Sequence, residues 1–307
     1  MNIFKLFIII TKKFKSRFLS RQYLIALIYS LKKLIFFKNE KLDKLIFKRT
    51  VTKFFLGRIG ENRYNFKIYK ELEKKFTEAN YFNFNNIKHP KLEEKFIKGF
   101  VYDFLDIYYL PVYHNKCVID EGPYFYEKVQ IKKNDVVIDA GANTGIFSAI
   151  AANLGANVFA FEPLSVFIDY LKHTSRLNSG IHIIPLALSN TKGEIEININ
   201  NNDLRASSII PNKKQANVEL IKTTTLDYWV RENNISKIDF IKADIEGAER
   251  LMLEGSTWIL KNFQPKLAIS AYHLEDDFKV LPEIILKANP NYKIVKNWKK
   301  IFAWVDE

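Results

Sequence analysis

A strand, a glycine-bearing loop, a helix and a second strand follow one another in residues 135–163, with the sequence DVVIDAGANTGIFSAIAANLGANVFAFEP. Short runs of apolar and β-branched residues predict the strands, and the alanine-rich segment between them predicts the helix. In a parallel sheet such a loop stands at the carboxyl end of its strand, where nucleotide-like ligands bind. The stretch therefore predicts both an α/β fold and a ligand site.

The same alternation continues towards the end of the chain. The further strand-like runs are IHIIPLAL, KIDFIKAD and KLAISAYH, and the helix-like stretches include SVFIDYLKHTSRLN and GAERLMLEGSTWIL. This order predicts a doubly wound, mostly parallel sheet with helices on both faces. The last segments, YKIVKNW and KIFAWVDE, predict a closing hairpin, which fits a reversed edge strand on that sheet.

The positive charge is concentrated near the N-terminus. Residues 1–60 hold 15 Lys or Arg and two Asp or Glu, an excess equal to the net charge of +13 for the whole chain. Apolar residues recur there at amphipathic-helix spacing, which is typical of contact with an anionic membrane or of packing on the protein's own domain. The apolar runs are too short to span a bilayer, and no signal-peptide cleavage site follows them. We expect a cytoplasmic protein, and peripheral contact of residues 1–50 with the inner face of the membrane stays open.

Three regions are predicted: a basic helical arm at residues 1–60, an accessory region at 61–115 and the α/β domain at 116–307. The single cysteine, Cys117, excludes an intrachain disulfide framework and a Cys-based zinc cluster, and it favours a reducing compartment. Outside the arm, acidic and basic residues balance. That balance argues against nucleic acid as the partner.

The spacing of the loop, Asp139-x-Gly141-x-x-x-Gly145, differs from the dinucleotide fingerprint. Asn143 stands where Gly-x-Gly-x-x-Gly has its second glycine, which weakens a pyrophosphate site. Glu162 ends the second strand, where a carboxylate can accept both hydroxyl hydrogens of a ribose. Asp139 is positioned to face the amino-acid part of a ligand. Together these residues favour S-adenosylmethionine over a nicotinamide dinucleotide.

Polar side chains also follow two later strands. KIDFIKAD ends on Asp244, with Glu246 two residues further on, and SAYH brings His273 to the same edge of the sheet. We predict these three as catalytic residues, with Asp244 or His273 accepting a proton and Glu246 orienting the acceptor. A solvated loop histidine is the alternative for His273. A divalent metal stays an unsupported alternative because hard cations need several oxygen ligands. Glu249 is assigned to the first helical turn, where the macrodipole favours an acid.

These segments resemble the FkbM family of S-adenosylmethionine-dependent methyltransferases. The matching stretches are EGPYFYEKVQIKKNDVVIDAGANTGIFSAIAANLGANVFAFEP, IIPLALSNTKGEIEI, TTTLDYWV, DFIKADIEGAERLMLEGS and PKLAISAYHLEDDFKVLPEII. They run in order from about residue 121 to residue 285. The N-terminal 115 residues lie outside the resemblance.

The resemblance implies a seven-stranded, Rossmann-like class I methyltransferase sheet. It implies that the residues of the glycine loop surround the methionine part of the cofactor and that Glu162 binds the ribose. Residues 186–189, including Ala187, would flank the adenine. Tyr124 and Glu127 would belong to a lead-in segment that closes over the cofactor.

The resemblance also implies O-methylation of a hydroxyl group, on a sugar of a surface glycan or on a secondary metabolite. Three alternatives stay open. A nucleic-acid methyltransferase is suggested by the net charge, although neither Asn-Pro-Pro-Tyr nor Asp-Pro-Pro-Tyr occurs. A non-catalytic binding protein could keep the fold without the activity, and a nicotinamide oxidoreductase is disfavoured by the loop spacing.

Overall fold

The structure is a computed structural model. It describes residues 81–84, 87–93, 123–199, 217–297 and 299–306, besides Glu71 and Lys74. The basic arm, most of the accessory region and Cys117 lie outside the described residues, so the expectation of an amphipathic helix there stays a prediction. No helix among the described residues is long and apolar enough to cross a bilayer.

Eighteen described elements follow one another along the chain. The strands are β1 (Tyr81–Phe84), β2 (Ile87–Pro90), β3 (Val136–Ala140), β4 (Asn157–Phe161), β5 (Ile181–Ile184), β6 (Ala187–Leu188), β7 (Gly193–Ile199), β8 (Asn217–Thr224), β9 (Phe240–Ala243), β10 (Lys266–Ser270), β11 (Lys293–Asn297) and β12 (Lys300–Trp304). The helices are α1 (Ile146–Asn153), α2 (Ser165–Leu177), α3 (Leu226–Glu232), α4 (Glu249–Glu254), α5 (Thr257–Asn262) and α6 (Asp277–Ala288).

Seven strands form the main sheet, in the order β11-β12-β10-β9-β3-β4-β5. The five strands from β10 to β5 are parallel to their neighbours, and β12 pairs antiparallel with both β10 and β11. The predicted mostly parallel, doubly wound sheet and its closing hairpin are confirmed. The reversed strand is β12, one place in from the edge of the sheet.

The central strands are largely apolar because both faces of the sheet are covered, and their buried charged residues are Asp139 on β3 and Lys242 on β9. All four residues of β9 are buried, as are four of the five residues of β3 and of β10. Such strands read as continuous apolar runs rather than as alternating ones. Their carboxyl ends meet at one edge of the sheet, and the polar residues that follow them are therefore brought close together.

Two predicted elements are divided in the structure. The run IHIIPLAL forms β5 and β6, with Pro185 between them, because proline has no N–H group to continue the strand ladder. The run GAERLMLEGSTWIL forms α4 and α5, with Gly255 at the end of one helix and Ser256 at the start of the next.

A second, three-stranded sheet has the order β6-β8-β7. β6 is parallel to β8, and β7 is antiparallel to it. Ile197 and Ile221 are buried, whereas Val218 and Leu220 are exposed. The buried face of this sheet helps to form the cleft described below.

The β1–β2 hairpin packs on the parallel sheet's helices. β2 contacts both α1 and α2, and the side chain of Asn178 exchanges hydrogen bonds with the backbone of Lys88. Residues Lys75–Pro111 and Ile119–Glu307 form one compact unit, and Met1–Lys74 with Val112–Val118 form another, which lies almost wholly outside the described residues. The predicted division at residues 60 and 115 stays a prediction.

Candidate active site

The loop between β3 and α1 adopts left-handed backbone conformations at three positions. Gly141, Asn143 and Gly145 have φ angles of 74°, 53° and 92°. A Cβ atom on Gly145 would lie 2.6 Å from Leu171 Cδ1, so this position has no room for a side chain. Asn143 tolerates its conformation better than most residues because its short polar side chain bonds locally, here accepting from the backbone N–H of Thr144 at 2.7 Å.

Glu162 follows β4, and its carboxylate binds the glycine loop. Oε2 accepts a hydrogen bond from the backbone N–H of Asn143 at 2.8 Å, and Oε1 accepts one from Leu164 at 2.9 Å. Burial raises the pKa of Glu162 to about 7, although these two hydrogen bonds oppose the increase. The carboxylate therefore titrates near neutral pH.

Asp139 and Lys242 form a buried ion pair beneath the glycine loop. Asp139 Oδ1 lies 3.0 Å from Lys242 Nζ, and the two side chains are 0% and 5% exposed. The hydroxyl of Ser148 donates to Asp139 Oδ2 at 2.6 Å, and Lys242 also donates to the carbonyl oxygen of Gly141 at 2.7 Å. The pair thus supports the loop from inside the domain.

A cleft of about 670 Å³ opens at the carboxyl edge of the main sheet. Gly141, Asn143 and Glu162 line one side, and Asp244 and Glu246 line another. Its apolar walls come from both sheets and from α2, and they consist mainly of Phe161, Phe167, Leu186, Ile195, Ile197 and Ile221. The cleft thus joins the glycine loop to the acids that follow β9.

Asp244 follows β9 and is surrounded by hydrogen-bond donors and positive charge. The hydroxyl of Tyr124 donates to its Oδ2 atom, and the hydroxyl of Tyr272 lies 3.5 Å from Oδ1. Burial acts to raise the pKa of Asp244, but the charges of Lys242, His273 and Lys300 outweigh it and hold the pKa below its ordinary value. Asp244 is therefore ionised at neutral pH.

His273 lies among three carboxylates. Its Nε2 atom is 3.6 Å from Asp244 Oδ1 and 3.5 Å from Glu246 Oε2, and its Nδ1 atom is 3.0 Å from Glu249 Oε1. Burial alone would lower the pKa of His273, but the three acids outweigh it and raise the pKa to about 9. In this arrangement both ring nitrogens are protonated at neutral pH, so the imidazolium cannot act as a proton acceptor.

The turn between β9 and α4 positions the remaining acids. Glu246 and Gly247 have φ angles of 55° and 100°, so two successive residues are left-handed. Glu249 is in the first turn of α4, as expected, and its carboxylate accepts backbone hydrogen bonds from Ile245 at 2.7 Å and Gly247 at 3.0 Å. Glu249, whose carboxylate closes the turn, is therefore also the acid beside Nδ1 of His273.

The structure brings most of the predicted site residues to one cleft. Those that line it are Gly141, Asn143, Glu162, Ala187, Asp244 and Glu246. Those outside its lining are Asp139, Gly145, Tyr124 and His273. The roles assigned to all of them from the sequence stay predictions.

Two buried lysines were missed by the sequence analysis. Lys242 is in the buried strand β9, and Lys300 is 1% exposed with its Nζ atom 4.3 Å from the centre of the Tyr124 ring. A lysine within the apolar run FIKA was the available signal, since a lysine is almost never buried without a partner. Lys300 follows a turn and is not within an apolar run, so the sequence did not indicate that it is buried.

The order of the strands, the glycine loop after β3 and the acid after β4 define a Rossmann-like methyltransferase fold. The Methyltransferase FkbM domain matches residues 139–294 of the chain. The protein belongs to the FkbM methyltransferase family, and the resemblance seen in the sequence is confirmed.

Two curated relatives are methyltransferases. The hexuronic acid methyltransferase AglP of Haloferax volcanii is 28% identical over 167 residues, which cover 54% of this chain and 68% of that protein. Methyltransferase sdnD of Sordaria araneosa is 26% identical over 164 residues, covering 42% of this chain and 63% of that protein. The solved structure of methyltransferase FkbM from Methylobacillus flagellatus KT is similar with a TM-score of 0.46 and 18% identity, covering 84% of this chain and 62% of that one.

Proposed function

We propose that the protein is an S-adenosylmethionine-dependent O-methyltransferase that acts on a hydroxyl of a glycan sugar or a secondary metabolite. The observation that carries this proposal is a single cleft that has Glu162 and the glycine loop on one side and Asp244 on the other. A cofactor whose ribose is bound by Glu162 would direct its methyl group towards Asp244. An acceptor hydroxyl beside Asp244 would then meet it in line.

The residues on the first side fit this cofactor. Each Glu162 oxygen keeps a lone pair after accepting its backbone hydrogen bond, so the carboxylate can also accept from the two ribose hydroxyls. Phe161, Leu186 and Ile221 offer an apolar surface to an adenine ring. When it is bound, S-adenosylmethionine supplies a methyl group on a positively charged sulfur.

The residues on the second side bind and orient the acceptor. Asp244 is ionised and can accept the hydrogen bond of an acceptor hydroxyl, and then its proton as the new bond forms. Tyr124 donates to Oδ2, and Oδ1, which lies 3.5 Å from the hydroxyl of Tyr272, keeps a lone pair for the acceptor. His273 carries positive charge beside Asp244 and keeps it ionised. We therefore prefer Asp244 to His273 as the base.

One relative supports a sugar acceptor. This relative, AglP, is by its name a methyltransferase of hexuronic acid. The apolar walls and the carboxylate pair of the cleft suit a compact polar acceptor held against an apolar cofactor. A glycan sugar is the acceptor that we propose to test first.

Calorimetry with S-adenosylmethionine tests the cofactor. The wild-type chain should bind one molecule, and absence of binding would support a non-catalytic protein instead. Transfer of a radiolabelled methyl group should then be measured with hexuronic acids, neutral glycosides, small alcohols and RNA. Methylation of RNA alone, with strong dependence on salt, would replace the proposal by a nucleic-acid methyltransferase.

The variant D244N tests the proposed base. It should reduce the rate of methyl transfer by about 10²-fold or more and leave cofactor binding within about threefold. The control D169N changes an exposed aspartate on α2 and should leave both quantities unchanged. Methyl transfer by D244N at the wild-type rate would refute the role of Asp244 as the base.

Peripheral membrane contact of residues 1–50 belongs to the same proposal, because a glycan can be built on a lipid carrier at the membrane surface. The measurement is sedimentation with vesicles that contain anionic lipid, for the full chain and for a chain that begins at residue 51. Equal sedimentation of the two would refute the contact.

A further inference from the structure

The imidazole of His273 is almost entirely buried beside carboxylates, but none of these contacts has the alignment of a good hydrogen bond. Its side chain is 7% exposed, and neither ring nitrogen has a hydrogen-bond partner of acceptable geometry among the described residues. A buried polar ring without such partners costs free energy unless something else binds it. This ring points at carboxylates from the turn that follows β9.

The separations around Nε2 are those of ligands on one metal ion. The two carboxylate oxygens nearest to it, from Asp244 and Glu246, lie 3.6 Å and 3.5 Å away, which is long for hydrogen bonds. Nitrogen and oxygen ligands bind a divalent ion at about 2.1 Å, so neighbouring ligands are roughly 3.0–3.5 Å apart. Both distances from Nε2 are therefore close to the separations found between ligands of one ion.

Glu249 completes the arrangement from the other side of the ring. Its Oε1 atom lies 3.0 Å from His273 Nδ1, and two backbone N–H groups hold the carboxylate in place. Histidines that bind metals commonly donate their second ring N–H to a carboxylate, which fixes the tautomer and the ring orientation. Among the described residues, the potential ligand atoms of Asp244, Glu249 and His273 all lie within 4.8 Å of one another, and Glu246 Oε2 adds a further oxygen 3.5 Å from Nε2.

We propose that Asp244, Glu246 and His273 Nε2 bind a divalent cation of the first transition row, which displaces the proton on Nε2, and that Glu249 holds the ring from behind. An imidazole ligand favours such ions over Mg²⁺ or Ca²⁺, which prefer oxygen alone. Three carboxylates converge on one ring, and the lysines that act on Asp244 are Lys242, on β9 itself, and Lys300, at the start of β12. Lys242 already neutralises Asp139, so the cluster keeps an excess of negative charge for an ion to balance.

Three protein ligands leave coordination positions open at the edge of the cleft. If the proposed function holds, an acceptor with two neighbouring oxygens, such as a vicinal diol or a hydroxy acid, would fill two of them. The ion would then lower the pKa of the hydroxyl that receives the methyl group. This consequence rests on the proposed function, whereas binding of the ion does not.

Titration of the metal-free full chain with MnCl₂, followed by electron paramagnetic resonance, tests the site without any cofactor. We expect one Mn²⁺ per chain with a dissociation constant in the micromolar range. Pulsed measurements should show modulation from the ¹⁴N nucleus of a coordinated imidazole. This signature is read on the wild-type chain, so it does not depend on the folding of a variant.

Variants and competing ions complete the test. D244N and H273Q should weaken Mn²⁺ binding by about tenfold or more, while E254Q, an exposed change on α4, should not alter it. Binding no tighter than millimolar, bound Mn²⁺ without nitrogen modulation, or displacement by an equal concentration of Mg²⁺ would each overturn the proposal. Mn²⁺ binding without S-adenosylmethionine binding would support this metal site and refute the proposed function. S-adenosylmethionine binding without Mn²⁺ binding would refute the metal site and leave the proposed function standing.

Discussion

The backbone carbonyl oxygen of Asp244 lies only 2.0 Å from the place where a Cβ atom on Gly141 would stand. Gly141 follows β3 and Asp244 follows β9, and these strands are neighbours in the sheet. The glycine loop and the acid cluster therefore touch through their backbones. A shift of either loop would therefore displace the backbone of the other.

The variant G141A should be strongly destabilising. The added methyl group would collide with backbone, which cannot rotate away, and alanine is disfavoured at a φ of 74°. We expect the free energy of unfolding to fall by about 3 kcal/mol or more in urea denaturation. The control G193A has no described atom within 4 Å of the new Cβ and should change stability by less than about 1 kcal/mol. Equal stability of the two variants would contradict this account.

Removing the cation of the buried ion pair should cost more than removing the whole pair. K242M leaves the carboxylate of Asp139 buried without its cation, which typically lowers the free energy of unfolding by about 3–5 kcal/mol. The double variant D139N/K242M has no uncompensated charge and should be more stable than K242M alone. Urea denaturation of the four proteins in the double-mutant cycle measures the coupling, and additive effects would show that the two side chains act independently.

His89 should make the protein sensitive to acid. Its ring nitrogens face the carbonyl oxygens of Pro90 at 3.0 Å and Thr144 at 2.8 Å, so β2 is tied to the glycine loop. Burial lowers the pKa of His89 from 6.5 to about 4, although both carbonyl groups oppose the shift. The unfolded chain therefore takes up a proton at a higher pH than the folded one.

The contribution of His89 to stability is complete above pH 6.5 and should be lost as the pH falls from 6.5 to 4. The loss is about 3 kcal/mol for a shift of this size. It can be measured by urea denaturation at a series of pH values, and H89Q should flatten this part of the profile. H182Q, a change at an exposed histidine on β5, should keep the full decrease. An unchanged profile in H89Q would assign the acid sensitivity to other groups.

Binding of a ribose by Glu162 should depend on pH near neutrality. The carboxylate must be ionised to accept two hydroxyl hydrogens, and burial raises its pKa from 4.5 to about 7. Ionisation of the free protein thus rises between pH 6 and pH 8, and affinity should increase by about tenfold over that interval. 5′-Methylthioadenosine is the suitable probe, because it has the ribose but not the titrating α-amino group.

In calorimetry with that probe, E162Q should bind more weakly, with no comparable increase between pH 6 and pH 8. The same raised pKa makes the free protein less stable as the pH rises from 4.5 to 7, because burial disfavours the ionised form. Ligand binding and folding therefore respond to pH in opposite directions at this residue. A wild-type affinity that is flat with pH would refute the role given to Glu162.

Much of the architecture follows from local sequence patterns. The strands β3, β4, β9 and β10 were predicted because apolar runs of four to five residues alternate with helix-like segments. The approach of Glu162 to Asp244 also follows from the sequence, since carboxyl ends of parallel strands share one edge of a sheet. The prediction needed no knowledge of side-chain packing.

What the sequence could not predict depends on contacts between distant segments. The hydrogen bond from Tyr124 to Asp244 joins residues 120 positions apart, and that from the His89 ring to the carbonyl oxygen of Thr144 joins residues 55 apart. The protonation of His273 was also out of reach, because it depends on three acids whose distances only the folded chain fixes. The second sheet supplies part of the cleft, and its strand β7 alternates polar and apolar residues in EIEINI. The pairing of β7 and β6 with β8 joins separate segments, and no local pattern predicts it.

The ion pair of Asp139 and Lys242 has a further consequence for the folding of the sheet. The two residues are directly opposite each other in the register of β3 and β9. A slip by one residue would place Ile241 or Ala243 opposite Asp139 and leave two buried charges without partners, so misregistered intermediates are penalised. The pair therefore favours the native alignment of β3 and β9. Hydrogen exchange in D139N/K242M should show a loss of protection that is confined to these two strands.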